Sequence, residues 1–171
     1  MSEDMKPTII RGAVISDCGR YRYRLWRVWD DTLPTCCFIM LNPSRADGDV
    51  DDPTIRRCMA FARREGCGRL EVVNLFAWRA TDPQELRALA DFDKATGPDN
   101  GQHLDDGMQG AAIIVAAWGA FRFGAADNAL YRAMRRGRDA GLPIFCLGKT
   151  KDGYPRHPLY VRADAPLEPY P

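Results

Sequence analysis

Short apolar runs alternate with helix-forming segments along this chain, and that alternation restricts the fold more than any other feature. Residues 36–41, 70–73, 111–118 and 144–147 are apolar or nearly so. Their lengths suit strands buried on both faces. Between the first two, Asp52-Pro53-Thr54 opens a helix, with Asp52 as the cap and Pro53 at the first helical position. Ile55, Cys58, Met59 and Ala62 follow at helical spacing, Arg56, Arg57, Arg63 and Arg64 take the other face, and Gly66 ends the run. Thr81-Asp82-Pro83 repeats the start signal. A third helix is expected within 100–108, despite Gly101 and Gly107. A fourth is expected over 125–140, with Leu130 and Met134 inward and Arg132, Arg135, Arg136 and Arg138 outward. This order predicts an α/β, three-layer sandwich around a mostly parallel, four-stranded central sheet.

Before that core, residues 9–15 and 21–29 flank an Asp17-Cys18-Gly19 turn and read as an N-terminal β-hairpin. Arg22 and Arg24 alternate with Tyr21, Tyr23 and Leu25, which predicts one solvated face. The last stretch, 148–171, carries five prolines and reads as irregular. The expected organisation is a single domain over 1–171, with a tail at 1–8, the hairpin at 9–30 and the α/β core at 35–160.

Composition narrows the function classes. The longest strictly apolar run, 111–118, is far short of the roughly 20 residues needed to span a bilayer. The first residues, Met1-Ser2-Glu3-Asp4-Met5-Lys6, are acidic where a signal peptide is basic. A soluble, cytoplasmic protein is therefore expected. The net charge is +1, and of 24 basic residues only Lys6, Lys94, Lys149 and Lys151 are lysine. Arginine suits bidentate contacts to phosphate and carboxylate, although genomic base composition raises it too. The near-neutral balance lacks the basic surplus of a strong nucleic-acid binder. The six cysteines contain no C-x-x-C pair, so reduced thiols are expected and no metal centre or cofactor. Asp47-Gly48-Asp49-Val50-Asp51-Asp52 resembles a cation loop, but Cys58 stands where an EF-hand needs glutamate. Turn and cap chemistry accounts for it, and magnesium held through a phosphate stays open. Neither a Walker A nor a dinucleotide glycine fingerprint occurs, and no G-x-S-x-G elbow.

In a parallel sheet ligands bind beyond the carboxyl ends of the strands. Four loops should converge there: Asn42-Pro43-Ser44, Asn74-Leu75-Phe76, Trp118-Gly119, and residues 149–160. Asn42 and Asn74 each offer an amide donor and a carbonyl acceptor. Phe76 and Trp118 offer flat apolar faces, Arg79 an anion fork, and His157 a neutral or charged imidazole in a proline-bounded loop. Such a set suits a planar polar ligand with a phosphate nearby, as in a nucleobase or nucleotide. Each residue also has a plain alternative. Asparagine at a strand end forms turns, aromatics fill cores, and histidines are often structural; His103, in a predicted helix, reads as surface.

Met40-Leu41-Asn42-Pro43-Ser44, Asp52-Pro53-Thr54, Asn74 through Pro83, Ala117-Trp118-Gly119 and Gly153 through Tyr160 resemble the bacterial and phage domain-of-unknown-function family 1643, in order, over about residues 20–160. A more distant resemblance is to the uracil-DNA glycosylase superfamily. That resemblance implies a uracil-DNA-glycosylase-like fold and an N-glycosidic bond hydrolase. Asn42-Pro43 then corresponds to the motif whose amide positions the attacking water. His157-Pro158 corresponds to the motif whose histidine stabilises the anionic leaving base. Phe76 becomes the stacking platform and Asn74 the reader of the base edge. The family's glycine two residues before the asparagine is Met40 here, and its serine-bearing loop after histidine-proline is Leu159-Tyr160-Val161.

The expected site has Asn42 and His157 as catalytic residues. Ser44, Asn74, Phe76, Arg79, Trp118, Gly119 and Pro158 bind the substrate, and no metal is involved. The expected partner is a nucleobase, nucleotide or nucleic acid, not a membrane. The alternative is a module of the same fold that binds a nucleotide or nucleic acid without turnover, and an interaction domain using the arginine-rich helices is a third.

Overall fold

A computed structural model describes residues 8–89, 91–121 and 134–171. Strands β1 (Ile10–Ile15) and β2 (Arg22–Val28) form the hairpin, with Gly19 at φ 71° in its turn. Strand β3 (Thr35–Met40), helix α1 (Pro53–Arg64) and strand β4 (Arg69–Asn74) follow as a parallel crossover. Helices α2 (Gln84–Leu89), α3 (Phe92–Thr96) and α4 (Asn100–Met108) lead to β5 (Ile113–Ala116). Residues 134–139 are helical and precede β6 (Ile144–Cys146). A 3-10 turn at Pro158–Tyr160 and a short strand, β7 (Glu168–Pro169), close the chain. Leu130 and Arg132 of the expected fourth helix lie outside the described residues.

The sheet has seven strands, not four, in the order β1-β2-β4-β3-β5-β6-β7. Four of them, β4, β3, β5 and β6, are parallel. The hairpin is not an appendage: β2 pairs antiparallel with β4, and β7 pairs antiparallel with β6. Each addition covers an edge of the parallel set that would otherwise present unpaired backbone groups. The sheet is therefore mixed.

Alternate residues of β3 feed two cores. Cys37 and Ile39 join Val73, Leu104 and Met108, while Cys36, Phe38 and Met40 join Ile55, Cys58 and Phe61 of α1. Both faces are thus covered by helices. Gly107, a weak helix former, is required here: a Cβ on it would lie 2.3 Å from Val73 Cγ1, so α4 lies against β4 only without one. All six cysteines are free thiols, five of them buried. Among the described residues no helix is long and apolar enough to cross a membrane.

The chain leaves β3 first towards β4 on one side and later reaches β5 on the other. A crevice opens where neighbouring connections diverge, beyond the carboxyl ends of β3 and β5.

Candidate functional site

A cavity of about 650 Å³ occupies that crevice. Asn42 and Ser44 enter it from the loop after β3, Asn74 from the end of β4, Trp118 and Gly119 from the end of β5, and His157 from the loop after β6. Three expected residues lie elsewhere. Phe76 is fully buried in the core and meets the edge of Phe92 at 5.9 Å. Arg79 is half-buried, its Nη1 3.4 Å from the Gly19 carbonyl. Pro158 is buried at the start of the 3-10 turn, where its carbonyl accepts from Arg57 Nε at 3.2 Å.

Asn42 is held firmly. Its Nδ2 donates to the Ala80 carbonyl at 2.9 Å and to the Pro43 carbonyl at 3.1 Å. Both neighbours are acceptors, so the nitrogen must face them and Oδ1 is left as the acceptor. Asn74 is fully buried, and neither side-chain amide atom has a hydrogen-bond partner. Its backbone is braced by Asn100 of α4, whose Nδ2 donates to the Asn74 and Leu75 carbonyls at 2.9 and 3.2 Å. Trp118 is buried and fixed edge-on against Tyr170, 5.6 Å between ring centres. Gly119 holds φ at 77°, and its N–H donates to the Pro155 carbonyl at 3.0 Å, which ties the β5 loop to the His157 loop.

His157 accepts from the Leu159 backbone N–H through Nδ1, at 3.2 Å. In the neutral ring the proton then sits on Nε2, which becomes a donor. Burial pushes the imidazole below its ordinary pKa, and the Asp52 carboxylate opposes this only in part. Below about 6.5 the unfolded chain therefore takes up this proton more readily than the folded one. The stabilisation from the neutral ring is complete above that pH and is lost as pH falls towards the folded-state value. An NMR titration of the native protein should give a His157 midpoint below 6.5; a midpoint at or above it would mean that Asp52 outweighs burial.

Residues that sequence reasoning left out also line the cavity. Arg22, expected on a solvated face, is 2 % exposed. The β1–β2 register shifts from Val14↔Arg24 to Ile15↔Arg22, so Tyr23 is an extra residue in β2. Such a bulge breaks the alternation of faces. Arg24 bonds Glu71 at 2.7 Å, whereas Arg22 turns to the cavity beside Met40 and Val72. Arg22 Nη1 donates to the Ala46 carbonyl at 2.8 Å, and Nε has no partner. Burial lowers its pKa to about 10, with Asp52 opposing, so it stays charged at neutral pH.

Asp52 caps α1 as expected, accepting from Ile55 N–H at 2.9 Å, and it lines the cavity as well. The loop position was legible, since 42–52 leaves the same sheet edge as Asn42. Two other acids of that loop, Asp47 and Asp51, are engaged. Asp47 accepts from the Asp49 and Val50 N–H groups, and Asp51 pairs with Arg11 and Arg27. Among the described residues no three His, Cys, Asp or Glu side chains converge as metal ligands.

The arginine face of α1 is not simply solvated. Arg57 Nη2 donates to the Val161 carbonyl at 2.5 Å and Arg64 Nη1 to the Ala165 carbonyl at 2.6 Å, so α1 clasps the segment that follows His157. His103, expected on the surface, is half-buried and stacks on Tyr23 at 4.7 Å.

A second cavity, about 690 Å³, lies between α3, α4 and the 134–139 helix. It holds none of the expected site residues, and both of its arginines are paired, Arg136 with Asp105 and Arg135 with Asp139.

The model of the family described as "Protein of unknown function (DUF1643)" matches residues 22–159, which run from Arg22 to Leu159 and include His157. No curated protein matches the chain.

Proposed function

Because the chain belongs to the DUF1643 family, its chemistry has to come from the cavity itself, and we propose that the cavity binds a nucleobase and that the protein hydrolyses an N-glycosidic bond. The observation that carries this reading is Asn74, a fully buried amide with neither donor nor acceptor satisfied by the protein. Such a group is costly unless a ligand completes it. A nucleobase edge presents the complementary acceptor and donor side by side. Trp118 supplies the apolar wall against which a ring can rest, taking the part first expected of Phe76.

The remaining groups suit base departure, as the resemblance to uracil-DNA glycosylases implies. Asn42 Oδ1 accepts from a water that attacks the sugar C1′. The C1′–N bond breaks and its electron pair leaves with the base. His157, neutral and with Nε2 as donor, stabilises that negative charge, and the proton released by the water returns to the base or to solvent. Asp52 is occupied as a helix cap, so charge stabilisation rather than general-base strength carries the rate.

The test is a mass-spectrometric screen for released base, using nucleosides, nucleotides, RNA and modified DNA. Release by the wild type is expected, falling about 10²- to 10³-fold in Asn42→Ala and in His157→Ala. Ligand that binds but is recovered intact would replace hydrolysis by binding alone. Release that survives both substitutions would remove these residues from the chemistry.

A further inference from the structure

We infer that the same cavity contains a phosphate subsite built on Arg22 and the start of α1, so that its ligand is a nucleotide with a terminal phosphate. The base half of that ligand rests on the reading above; the phosphate half rests on separate observations.

Arg22 is 2 % exposed, its Nε has no partner, and among the described residues no carboxylate lies within ion-pair distance of it. A buried guanidinium without a counter-ion is costly, and an anionic ligand removes that cost. The first turn of α1 lines the same cavity through Pro53, Thr54 and Ile55. That helix is 12 residues long and has no acidic residue in its first turn. Pro53 has no N–H and the Ile55 N–H is taken by Asp52, so the Thr54 N–H and the helix dipole are what this end offers an anion.

The charges along the wall point the same way. Arg22, Arg45 and Arg156 line the cavity against a single carboxylate, Asp52. Both Asp52 oxygens are turned to backbone N–H groups, Oδ1 to Ile55 at 2.9 Å and Oδ2 to Ala46 at 3.4 Å. A dianionic phosphate matches the remaining excess of positive charge better than a monocarboxylate does, and its oxygens accept the planar fork of arginine. The depth of Arg22 favours a terminal phosphate, because an internal phosphodiester must leave the site in two directions. The net charge of only +1 offers little to a long polyanion.

Calorimetric titration of the full chain with inorganic phosphate tests the subsite without assuming any base. Binding by the wild type is expected, weakened about tenfold or more in Arg22→Met and partly kept in Arg22→Lys, which retains the charge but not the fork. No phosphate binding, or equal binding by the wild type and Arg22→Met, would overturn the inference. Phosphorus NMR of phosphate with the wild type alone decides the matter should Arg22→Met fail to fold.

A second series compares nucleosides with their 5′-monophosphates, and short oligonucleotides with and without a 5′-phosphate. Each nucleoside that binds should gain about tenfold or more on phosphorylation, and the gain should vanish in Arg22→Met. An unphosphorylated oligonucleotide that outbinds the mononucleotides would overturn the terminal-phosphate assignment. Phosphate bound through Arg22 with no preference for any nucleotide would leave the subsite standing and remove the base reading. Nucleosides that bind without any gain from phosphate would do the reverse.

Discussion

Replacing Asn74 with leucine should give a protein that is more stable than the wild type and no longer recognises its base. Asn74 is fully buried, and both atoms of its amide lack partners. Burying an unsatisfied polar group costs about 1–3 kcal/mol. Leucine has the same branching at Cγ, with methyl groups in place of the amide oxygen and nitrogen, and Leu75, Val72 and Val73 show that the surroundings of β4 accept apolar side chains. The substitution should therefore recover about 1–3 kcal/mol, read as a higher midpoint in urea. The same change removes two hydrogen bonds to a ligand and should weaken its binding about 10- to 100-fold. Stability and function then move in opposite directions, the pattern of a residue retained for its ligand. A less stable Asn74→Leu protein would show that the amide is satisfied within the free protein, and the proposed base contact would lose its main support.

The second large effect is on folding. Asp51→Ala should destabilise the protein by about 3–5 kcal/mol, a large part of the roughly 5–15 kcal/mol available to a domain. Arg27 is fully buried, and its Nε donates to Asp51 Oδ1 at 2.7 Å. The rest of the guanidinium holds the Asp47 carbonyl at 2.7 Å and the Trp26 carbonyl at 2.8 Å. This cation pins the 47–51 loop to β2, and removing Asp51 leaves it buried without its carboxylate. Because the loss comes mainly from an abandoned charge, Arg27→Met combined with Asp51→Ala should recover much of it. Denaturant unfolding of the two single variants and the double variant measures this coupling. Strictly additive effects would show that the two residues act independently. Burial pushes the Asp51 carboxyl up, but hydrogen bonds from Arg11 and Arg27 outweigh it and leave its pKa below 3.8. The stabilisation is therefore complete above that pH and is lost as pH falls through the lower folded-state value.

The two effects meet in the loop between β3 and α1. That loop begins with Asn42, is anchored in its middle by Arg27, and ends with Asp52 capping the helix beside the cavity. Weakening the anchor should disturb the site without touching any residue that contacts a ligand.

Much of the site is legible in the sequence. Parallel strands all point their carboxyl ends to one edge, so the presence of Asn42, Asn74, Trp118 and His157 after successive apolar runs is enough to bring them together. The third helix, 100–108, and the Asp52 cap are equally local readings, governed by spacing and by one side chain next to its own backbone. The positions that escape depend on distant partners. Arg22 reaches the cavity through one extra residue in β2, which a period-two pattern cannot register. Phe76, two residues beyond β4, turns into the core, where α3 places Phe92 against it. The arginines of α1 look solvated by helical period, but the chain returns about a hundred residues later to offer them carbonyls. The four-stranded sheet becomes seven-stranded for the same reason, since edge pairing joins segments far apart in the chain. Short-range periodicity, which the sequence carries in full, set the elements, their order and the edge where the site forms. Which side chains enter that site, and which arginine is left without a carboxylate inside it, was decided by contacts between segments far apart in sequence, through register shifts, close approaches and pairings that no local pattern encodes.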